Sequence, residues 1–397
     1  MAIVIELNDK SNCTGCSACV QICPQGCFVM KEDSEGFKYP TVSKNSCVNC
    51  KLCEKVCPVI NDGSKQMDKE LITFAAYNKN DFQRIQSSSG GLFVLLAEHV
   101  LKQNGVVFGA RMSDDCRYAY HEVVDSLEKL SKLLGSKYLQ SDVTDTYSRV
   151  KNYLNSGVKV LYSGTPCQIA GLKAYLRKDY DNLFCLDIIC HGAPSPKLWR
   201  KYIDYQENNN DASLRQVSFR CKEKSWKSYS VSFNYSNDKR REIVYTKDPY
   251  MLMFLQNLCL RPSCYQCKFK GLNRYSDITL GDFWGCQKVC PELDDDKGLS
   301  AVIVNSAKGE QLFDSIKKNL IYKSEELEQI IDGNPSYSKP SFCPSARDDF
   351  MSKLDELTIS ELANGYLAKD SLKVKVIRKV KCLVPKDVKN LFNNFIK

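Results

Sequence analysis

Two cysteine runs with the same internal spacing constrain this chain more than any other feature of its sequence. Each run reads C-x2-C-x2-C-x3-C-P, and together they contain Cys13, Cys16, Cys19, Cys23, Cys47, Cys50, Cys53 and Cys57. This spacing is typical of paired [4Fe–4S] sites, in which three cysteines of a run bind one cluster and the fourth binds the other. We therefore expect Cys57 to complete the first site and Cys23 to complete the second.

Zinc is the alternative metal for these runs, because it also binds four thiolates in a tetrahedral site. One zinc ion would need only one C-x2-C pair from each run, whereas both runs here are complete and end in proline. Their spacing is similar to that of bacterial two-cluster ferredoxins. We predict a ferredoxin domain over residues 1–63, with two short strands around the turn at residues 34–36.

The length and composition of the chain restrict its class. With 397 residues, it is long enough for two or three domains. Disulfide scaffolds belong to short secreted chains. The first residues lack the basic and apolar regions of a signal peptide, and the longest apolar run, at residues 92–97, is too short to span a bilayer. We therefore expect metal-binding or buried thiols in a cytoplasmic protein.

From residue 70 the pattern changes to alternating strands and helices. Buried strands are predicted over residues 72–77, 106–110, 158–162, 183–190 and 301–304. This alternation predicts an α/β domain, placed at residues 70–345, with a largely parallel sheet. Two-residue alternation over residues 213–246 predicts an antiparallel insertion in that domain.

Residues 346–397 are predicted to form a helical, basic C-terminal tail. Residues 371–397 contain eight Lys or Arg against one Asp, so much of the net charge of +9 lies there. A basic amphipathic helix can lie on the anionic inner face of a membrane, or it can dock on the neighbouring domain. Both interpretations stay open. Nucleic acid is not expected as a partner, because the tail lacks a recognised module and aromatic stacking platform.

A second group of cysteines, in the centre of the chain, lacks a complete pattern. Cys264 and Cys267 form one C-x2-C pair, so further ligands must come from elsewhere in the fold. Cys167 and Cys190 follow predicted strands and would complete a third [4Fe–4S] site. Alternatively, the pair and Cys259 follow the plant-type C-x4-C-x2-C spacing, with a fourth ligand at position 286 or 290. Structural zinc and free buried thiols are the remaining alternatives.

Several polar motifs lie at predicted strand–helix junctions. The turn at residues 163–168 places free backbone N–H groups and a helix N-terminus at the carboxyl edge of the sheet, where phosphate-bearing ligands bind. The helix start at residues 88–91 suits a pyrophosphate for the same reason, or it is a simple serine cap. No G-x-G-x-x-G fingerprint is present, which argues against a separate NAD site.

Taken together, these motifs resemble the beta-subunit family of coenzyme F420 hydrogenases and dehydrogenases over about residues 70–340. The residues that carry the resemblance are Ser89-Gly90-Gly91, Gly135-Ser136-Lys137-Tyr138, Gly164-Thr165-Pro166-Cys167-Gln168, Cys190-His191-Gly192, Arg261-Pro262-Ser263-Cys264, Cys267, Asp277, Gly281 and Asp282. The resemblance implies an FAD-binding α/β domain with its own [4Fe–4S] cluster, fused here behind the ferredoxin domain.

The resemblance also implies roles for particular residues. It favours Cys167, Cys190, Cys264 and Cys267 as the ligands of the third cluster, with Cys185 as the rival of Cys190 on the same strand. The implied contacts of FAD or FMN come from Ser89, Gly90, Gly91, Ser136, Lys137, Tyr138, Gly164, Thr165, Gln168, Asp277, Gly281 and Asp282. We add Lys297 as a candidate partner of the flavin, with a solvated turn as its alternative. His191 is a candidate proton relay or a structural histidine.

These expectations describe an iron–sulfur flavoprotein oxidoreductase. Hydride carriers deliver two electrons together and clusters accept one at a time, whereas a flavin does both. We predict electron transfer between the clusters and a flavin that exchanges hydride with a small-molecule carrier or substrate. The alternative is a non-catalytic subunit that delivers electrons to a separate enzyme. The expected protein partner is a ferredoxin or a catalytic subunit.

Overall fold

The computed structural model describes residues 9–61 and 71–367. Its helices, α1 to α13, are Ala18–Gln21, Leu52–Lys55, Asp81–Gln86, Leu92–Leu101, Thr146–Asn155, Pro166–Leu176, Pro196–Asn210, Pro249–Leu255, Cys286–Val289, Ala307–Ile316, Leu327–Gly333, Arg347–Ser352 and Ile359–Tyr366. Its strands, β1 to β14, are Phe28–Glu32, Lys38–Val42, Ile72–Asn78, Val106–Met112, Ala119–Val124, Ser141–Asp142, Val160–Ser163, Leu183–Ile188, Leu214–Cys221, Ser230–Tyr235, Arg240–Val244, Ile278–Asp282, Ser300–Val304 and Leu320–Ser324.

The N-terminal unit consists of two equivalent halves, each built around one cysteine run. The residues on either side of the second cysteine have positive φ in both runs: Gly15 and Ser17 at 72° and 60°, Asn49 and Lys51 at 54° and 57°. Such left-handed turns direct successive backbone N–H groups into one concavity that favours an anion. The antiparallel pair β1–β2 lies between the halves, as the sequence predicts.

A nine-stranded sheet in the order β14-β3-β13-β12-β8-β7-β4-β5-β6 forms the centre of the molecule. Its central strands, from β12 to β4, are parallel, whereas β14, β3 and β13 on one side and β5 on the other pair antiparallel. The expectation of a largely parallel sheet is therefore only partly met. Parallel neighbours need a crossover connection, and the chain instead returns at the same edge after β4 and after β12.

One edge of this sheet carries the ends of strands that point the same way. β4, β7, β8 and β12 end there, and β3 ends there too, because β3 and β12 both run antiparallel to β13. We call this the carboxyl edge. Residues 87–91, 163–168 and 282–285 follow these strands along the chain, which brings three predicted polar motifs to one side of the fold.

The predicted antiparallel insertion is present as a three-stranded sheet, β11-β10-β9. It shares one hydrophobic core with α7, α8 and the last two helices, and that core includes Trp199, Tyr202, Phe233, Tyr250, Phe350 and Leu362. Helices α12 and α13 are therefore part of the domain, although the sequence predicts that a tail begins at residue 346. Burying the apolar faces of these helices fixes them to the domain.

The membrane question concerns only part of the chain. Among residues 9–61 and 71–367, no helix combines the length and apolar character needed to cross a bilayer. The basic segment at residues 371–397, for which the sequence allows a membrane-surface helix, lies outside the described residues.

Helix α6 contacts the ferredoxin unit through a glycine. A Cβ atom at Gly171 would lie 2.8 Å from the Cβ of Cys16, 3.0 Å from its Sγ and 3.0 Å from the Tyr147 hydroxyl. That hydroxyl donates a hydrogen bond to the carbonyl of Gln168 on the same helix, at 2.8 Å. Since only glycine allows so close an approach, the first cysteine run lies directly against α6.

Replacing Gly171 by alanine tests this contact. The added methyl group has no room beside Cys16, so we expect Gly171→Ala to lower the free energy of unfolding by about 1–3 kcal/mol, as overpacked cores do. The matched control is Gly365→Ala in α13, where an added Cβ meets no atom within 4 Å. Alanine should be neutral there or stabilise the helix by up to about 1 kcal/mol. Equal thermal unfolding of both variants would contradict the contact.

Candidate metal centres and cofactor site

The first thiol site brings together the four cysteines that the spacing predicts. Burial, together with repulsion from the charges of Cys13 and Cys57, raises the pKa of Cys16 to about 12. Burial also raises the pKa of Cys19, with added repulsion from Cys16, Cys13 and Cys57. Four thiolates that repel one another inside a buried space are the donor set of a tetrahedral site for a soft metal centre.

The second thiol site is a concavity in the ferredoxin unit. It is lined by Cys23, Cys47, Cys50 and Cys53, as predicted, and also by Cys27. The Sγ of Cys27 lies 3.2 Å from that of Cys23. Cys27 lies outside the two predicted cysteine runs, although its position four residues after Cys23 indicates that it lies close to the site. Cys50 is exposed, so this site lies at the molecular surface.

Four further cysteines from three separate segments converge behind the carboxyl edge. Burial raises the pKa of Cys167 well above its usual value, and the charges of Cys267, Cys190 and Cys264 raise it further. The pKa of Cys264 is raised to about 12 by burial and by repulsion from Cys190 and Cys267. Burial and the charge of Cys267 also raise the pKa of Cys190. We call this group the third thiol site.

The alternative ligands lie elsewhere. Cys259 is fully buried in the core under α7 and α8. Cys286 and Cys290 lie together in a different core, on the far side of β13. Cys185 is inside β8, and the nearby charges that shift its pKa come from lysine and aspartate side chains. The structure therefore does not assemble the plant-type set, and it groups Cys190 rather than Cys185 with the third thiol site.

The first and third thiol sites are neighbours. Burial raises the pKa of the Tyr147 hydroxyl, and the charges of Cys16, Cys167 and Cys19 all contribute to that rise. A second contact joins the same two regions: the ammonium of Lys268, which follows Cys267 in the sequence, donates to the carbonyl of Val59, two residues after Cys57, at 3.4 Å. The charges of thiolates in both sites therefore act on the same tyrosine, Tyr147.

Two predicted flavin-binding segments contact each other at the carboxyl edge. The Ser88 hydroxyl oxygen accepts hydrogen bonds from the Ser136 N–H at 2.7 Å and from the Ser136 hydroxyl at 2.9 Å. The Gly90 N–H donates to the Ser300 hydroxyl at 2.9 Å. Gly91 begins α4 with φ 83°, a conformation that favours glycine. The serine and glycine motif at residues 88–91 is therefore joined to the one at residues 135–138.

The turn before α6 joins the same edge. Thr165 and Gln168 form a capping box, with Pro166 in the first helical turn. The Gln168 side-chain amide donates to the Ser141 hydroxyl at 3.0 Å. A Cβ at Gly164 would lie 3.2 Å from the Gln168 side-chain oxygen. These contacts fix the first turn of the helix that also carries Cys167.

Two buried cations at this edge were not predicted. Arg220 pairs with Asp282 through two bonds of 2.9 and 3.0 Å and donates to the Tyr138 hydroxyl at 3.2 Å. The ammonium of Lys222 donates to the carbonyl of Ser89, and burial lowers the pKa of this lysine to about 7. Both residues alternate with cysteine along the predicted insertion. Their two-residue spacing predicts that Arg220 and Lys222 lie on the same face of the strand region. It does not predict that this face is buried against the main sheet.

A buried histidine was also missed. His121 Nε2 lies 3.0 Å from the Ser163 carbonyl, so it carries the hydrogen, and Nδ1 is left as a buried acceptor without a partner among the described residues. Burial lowers the pKa of His121 to about 4, and the charge of Lys137 contributes. Burial likewise lowers the pKa of Lys137 to about 7. Nothing in the local sequence around His121 distinguishes it from a core histidine.

Two predicted residues have structural contacts instead of contacts with the polar groups described above. Asp277 precedes β12 at the opposite edge, and its buried carboxylate accepts from the Cys185 N–H at 2.8 Å and the Ser306 hydroxyl at 2.6 Å. His191 Nε2 lies 2.6 Å from Asn257 Oδ1. Burial lowers the pKa of His191. Both side chains have the contacts of structural residues.

Two further predicted residues lie near the edge with other contacts. Lys297 is 44% exposed and forms an ion pair with Asp81 at 2.7 Å. Gly281 lies within β12, where an added Cβ would come within 2.6 Å of the Ile189 side chain. Gly281 thus permits close packing, and Lys297 has the contacts of a surface lysine.

Two family models match this chain. Residues 157–330 match the family described as the C terminus of the coenzyme F420 hydrogenase/dehydrogenase beta subunit. Residues 12–61 match the 4Fe-4S dicluster domain. These two matches confirm the resemblance to that family, and the dicluster domain in front of it, that the sequence indicates. The chain is an iron–sulfur electron-transfer protein related to that family.

Among solved structures, a chain of the F420-reducing [NiFe] hydrogenase complex from Methanosarcina barkeri is similar to this one. The two are 16% identical, the match covers 77% of this chain and 92% of that chain, and the TM-score is 0.45. The search of curated proteins found no match.

Proposed function

We propose that the protein is an iron–sulfur flavoprotein oxidoreductase in which a third [4Fe–4S] cluster connects the dicluster domain to a flavin. The observation that carries the proposal is the position of α6. Its N-terminal turn lies at the carboxyl edge, Cys167 is in its first turn, and Gly171 touches Cys16 one turn later. At 1.5 Å rise per residue, these features lie within roughly 10 Å along the helix.

The third thiol site fits a cubane cluster by the chemistry of its donors. Its four sulfurs come from cysteines alone, these residues are half-buried, and the mutual repulsion of their thiolates needs a compensating metal charge. The Ala193 N–H donates to the Cys264 sulfur at 3.3 Å, the kind of hydrogen bond that stabilises a cluster thiolate. Four thiolates also suit zinc, but a redox-inert ion would leave the dicluster domain without a neighbour for its electrons.

The carboxyl edge fits a polar, phosphate-bearing cofactor. His121 Nδ1 and Arg220 Nε are buried and have no hydrogen-bond partner among the described residues. Lys222 is buried and makes no ion pair within the described part of the chain, although Arg220 and Arg84 lie near it. Since buried polar groups are normally satisfied, these atoms indicate a ligand. A bound flavin supplies the exchange between single electrons and hydride.

In this proposal the residues of the edge bind and orient the cofactor. Lys222 and the N-terminus of α4 would hold its phosphates, because a cation and a helix N-terminus both favour anions. Residues 135–138 link the two sides of the site, because Ser136 bonds to Ser88 and the Tyr138 hydroxyl accepts from Arg220. His121, kept neutral by burial, offers Nδ1 as an acceptor to an N–H group of the ring.

The exposed second thiol site favours a related role as a second candidate function. Cys50 is exposed and the apolar side chain beside it, Val48, is 62% exposed. A cluster at the surface can exchange electrons with a docked protein such as a ferredoxin or a catalytic subunit. The protein would then deliver electrons to another enzyme without a substrate of its own.

Cysteine substitutions test the third cluster. Cys190→Ala removes one proposed ligand, so the iron content should fall from about twelve to about eight per chain after anaerobic reconstitution, at four irons per cluster. Cys185→Ala is the matched control, since it removes a buried thiol of the same strand, and it should keep about twelve. The proposal of a third cluster is wrong if the wild-type protein itself binds only about eight.

Lysine substitutions test the flavin site. Lys222→Met should weaken the binding of FAD or FMN roughly ten- to hundredfold, the cost of about 1.5–3 kcal/mol for losing a charged hydrogen bond. Because the pKa of Lys222 is about 7, its charge is present below pH 7 and lost above it. Wild-type binding should therefore weaken as the pH rises, and Lys222→Met should remove that dependence.

The control for the flavin site is Lys297→Met, which removes an exposed lysine of the same region. Isothermal titration at pH 6 and pH 8.5 gives the dissociation constants of all three proteins. A larger loss in Lys297→Met than in Lys222→Met would instead favour the contact that the sequence predicts at Lys297.

Turnover separates the enzyme from the electron-transfer subunit. We expect the protein, loaded with iron, sulfide and flavin, to reduce an artificial acceptor with a reduced deazaflavin or nicotinamide as hydride donor. Activity with reduced ferredoxin alone, and with no hydride donor, would support the second function.

A further inference from the structure

Arg261 is a buried guanidinium at the junction of the dicluster domain and the main domain. Its side chain is fully enclosed, with 1% of the residue exposed. Nε donates to the carbonyl of Cys13 at 2.7 Å, Nη1 to Gln140 Oε1 at 3.0 Å, and Nη2 to the carbonyl of Lys38 at 3.0 Å. The guanidinium also lies 4.2 Å from the centre of the Tyr39 ring.

These contacts satisfy the hydrogen-bond donors of Arg261 but not its charge. Each hydrogen-bond acceptor named above is a neutral oxygen, and among residues 9–61 and 71–367 no carboxylate forms an ion pair with Arg261. A buried charge without a counter-charge costs several kcal/mol, so native proteins pair such groups. A negative partner must therefore lie close by.

A proposed cluster ligand lies beside the guanidinium. Nη2 of Arg261 lies 3.7 Å from the Sγ of Cys13 in the first thiol site. Arg261 is also three residues before Cys264 of the third thiol site, and its carbonyl accepts the Cys264 N–H at 2.8 Å. One cation thus stands between the thiolates of two sites.

We propose that Arg261 is the counter-charge of the first cluster and sets its reduction potential. A reduced cluster carries one more negative charge than the oxidised one, so a fixed cation beside it stabilises the reduced form. Removing the cation should make reduction less favourable, because net charge and hydrogen bonds to sulfur tune cluster potentials. Arg261 is a positioning residue in this role, acting through Cys13.

Arg347 provides a matched control. It is also a buried arginine that joins the two domains, since it pairs with Glu35 at 2.5 Å and donates to the Leu260 carbonyl at 3.1 Å. Its charge, however, is already compensated by a carboxylate. Arg347→Gln therefore loosens the same junction without removing a cation that faces a cluster.

The experiment is a redox titration of the anaerobically reconstituted full chain, followed by electron paramagnetic resonance. In Arg261→Gln, one cluster component should shift to a more negative midpoint potential, while the component of the surface site stays in place as an internal reference. Arg261→Lys, which keeps the charge, should stay near the wild-type midpoint. Arg347→Gln should leave all components unchanged.

Two results would overturn the proposal. One is an Arg261→Gln protein with full iron content and unshifted midpoints. The other concerns an Arg261→Gln protein that loses iron, for which the Arg261→Lys variant provides the test. If Arg261→Lys also loses its iron, Arg261 acts through packing alone and the proposal is wrong. Retained iron with a wild-type midpoint in Arg261→Lys supports the charge. The test reads the dicluster domain, so it stands even if no flavin binds.

Discussion

The close approach of α6 to the first cysteine run is the contact on which the arrangement of this molecule depends. Gly171 lets the helix touch Cys16, and the turn that begins the helix lies at the edge of the sheet where strands β4, β7, β8 and β12 end. One rigid helix thereby spans the distance between the dicluster domain and the carboxyl edge. A longer side chain at position 171 would separate the two domains and open the path between them.

Electrostatics explains why the sites lie where they do. In the first and third thiol sites, burial and the mutual repulsion of the cysteines oppose ionisation, so the bare sites are unfavourable and binding a cationic metal centre relieves them. The carboxyl edge has the opposite imbalance, because buried Lys222 makes no ion pair within the described residues and favours an anionic ligand. Arg261 lies between the thiol sites and offsets their negative charge.

The sequence alone predicts much of this structure, because short-range spacing encodes the relevant chemistry. The eight cysteines of the dicluster domain, the strand–helix alternation and the antiparallel insertion can all be read from local patterns. Preferring Cys167 and Cys190 over the plant-type set as partners of Cys264 and Cys267 needed the resemblance to a family. The mixed order of the sheet could not be predicted, since the pairing of β13 between β3 and β12 is set by contacts distant in sequence.

The residues missed from the sequence have a common physical reason. His121, Arg220 and Lys222 lie in or beside strands, where each looks like an ordinary polar residue, and only tertiary packing buries them. Asp277 is the opposite case, a residue that the sequence predicts at the cofactor site but the structure places elsewhere. It is close in sequence to Gly281 and Asp282, yet its carboxylate accepts a hydrogen bond from the Cys185 N–H at the opposite edge of the sheet. Both the burial of a polar side chain and the edge of the sheet at which it lies are set by the tertiary fold, which local sequence does not reveal.

The most direct test of this account is the rate at which electrons from reduced ferredoxin reach the bound flavin, followed anaerobically by stopped-flow absorbance. The wild-type protein is compared with Cys264→Ala, which lacks one ligand of the third thiol site and keeps the dicluster domain. The account predicts that the dicluster bleaches in both proteins, and that flavin reduction in Cys264→Ala is at least about tenfold slower. Equal rates of flavin reduction would contradict it.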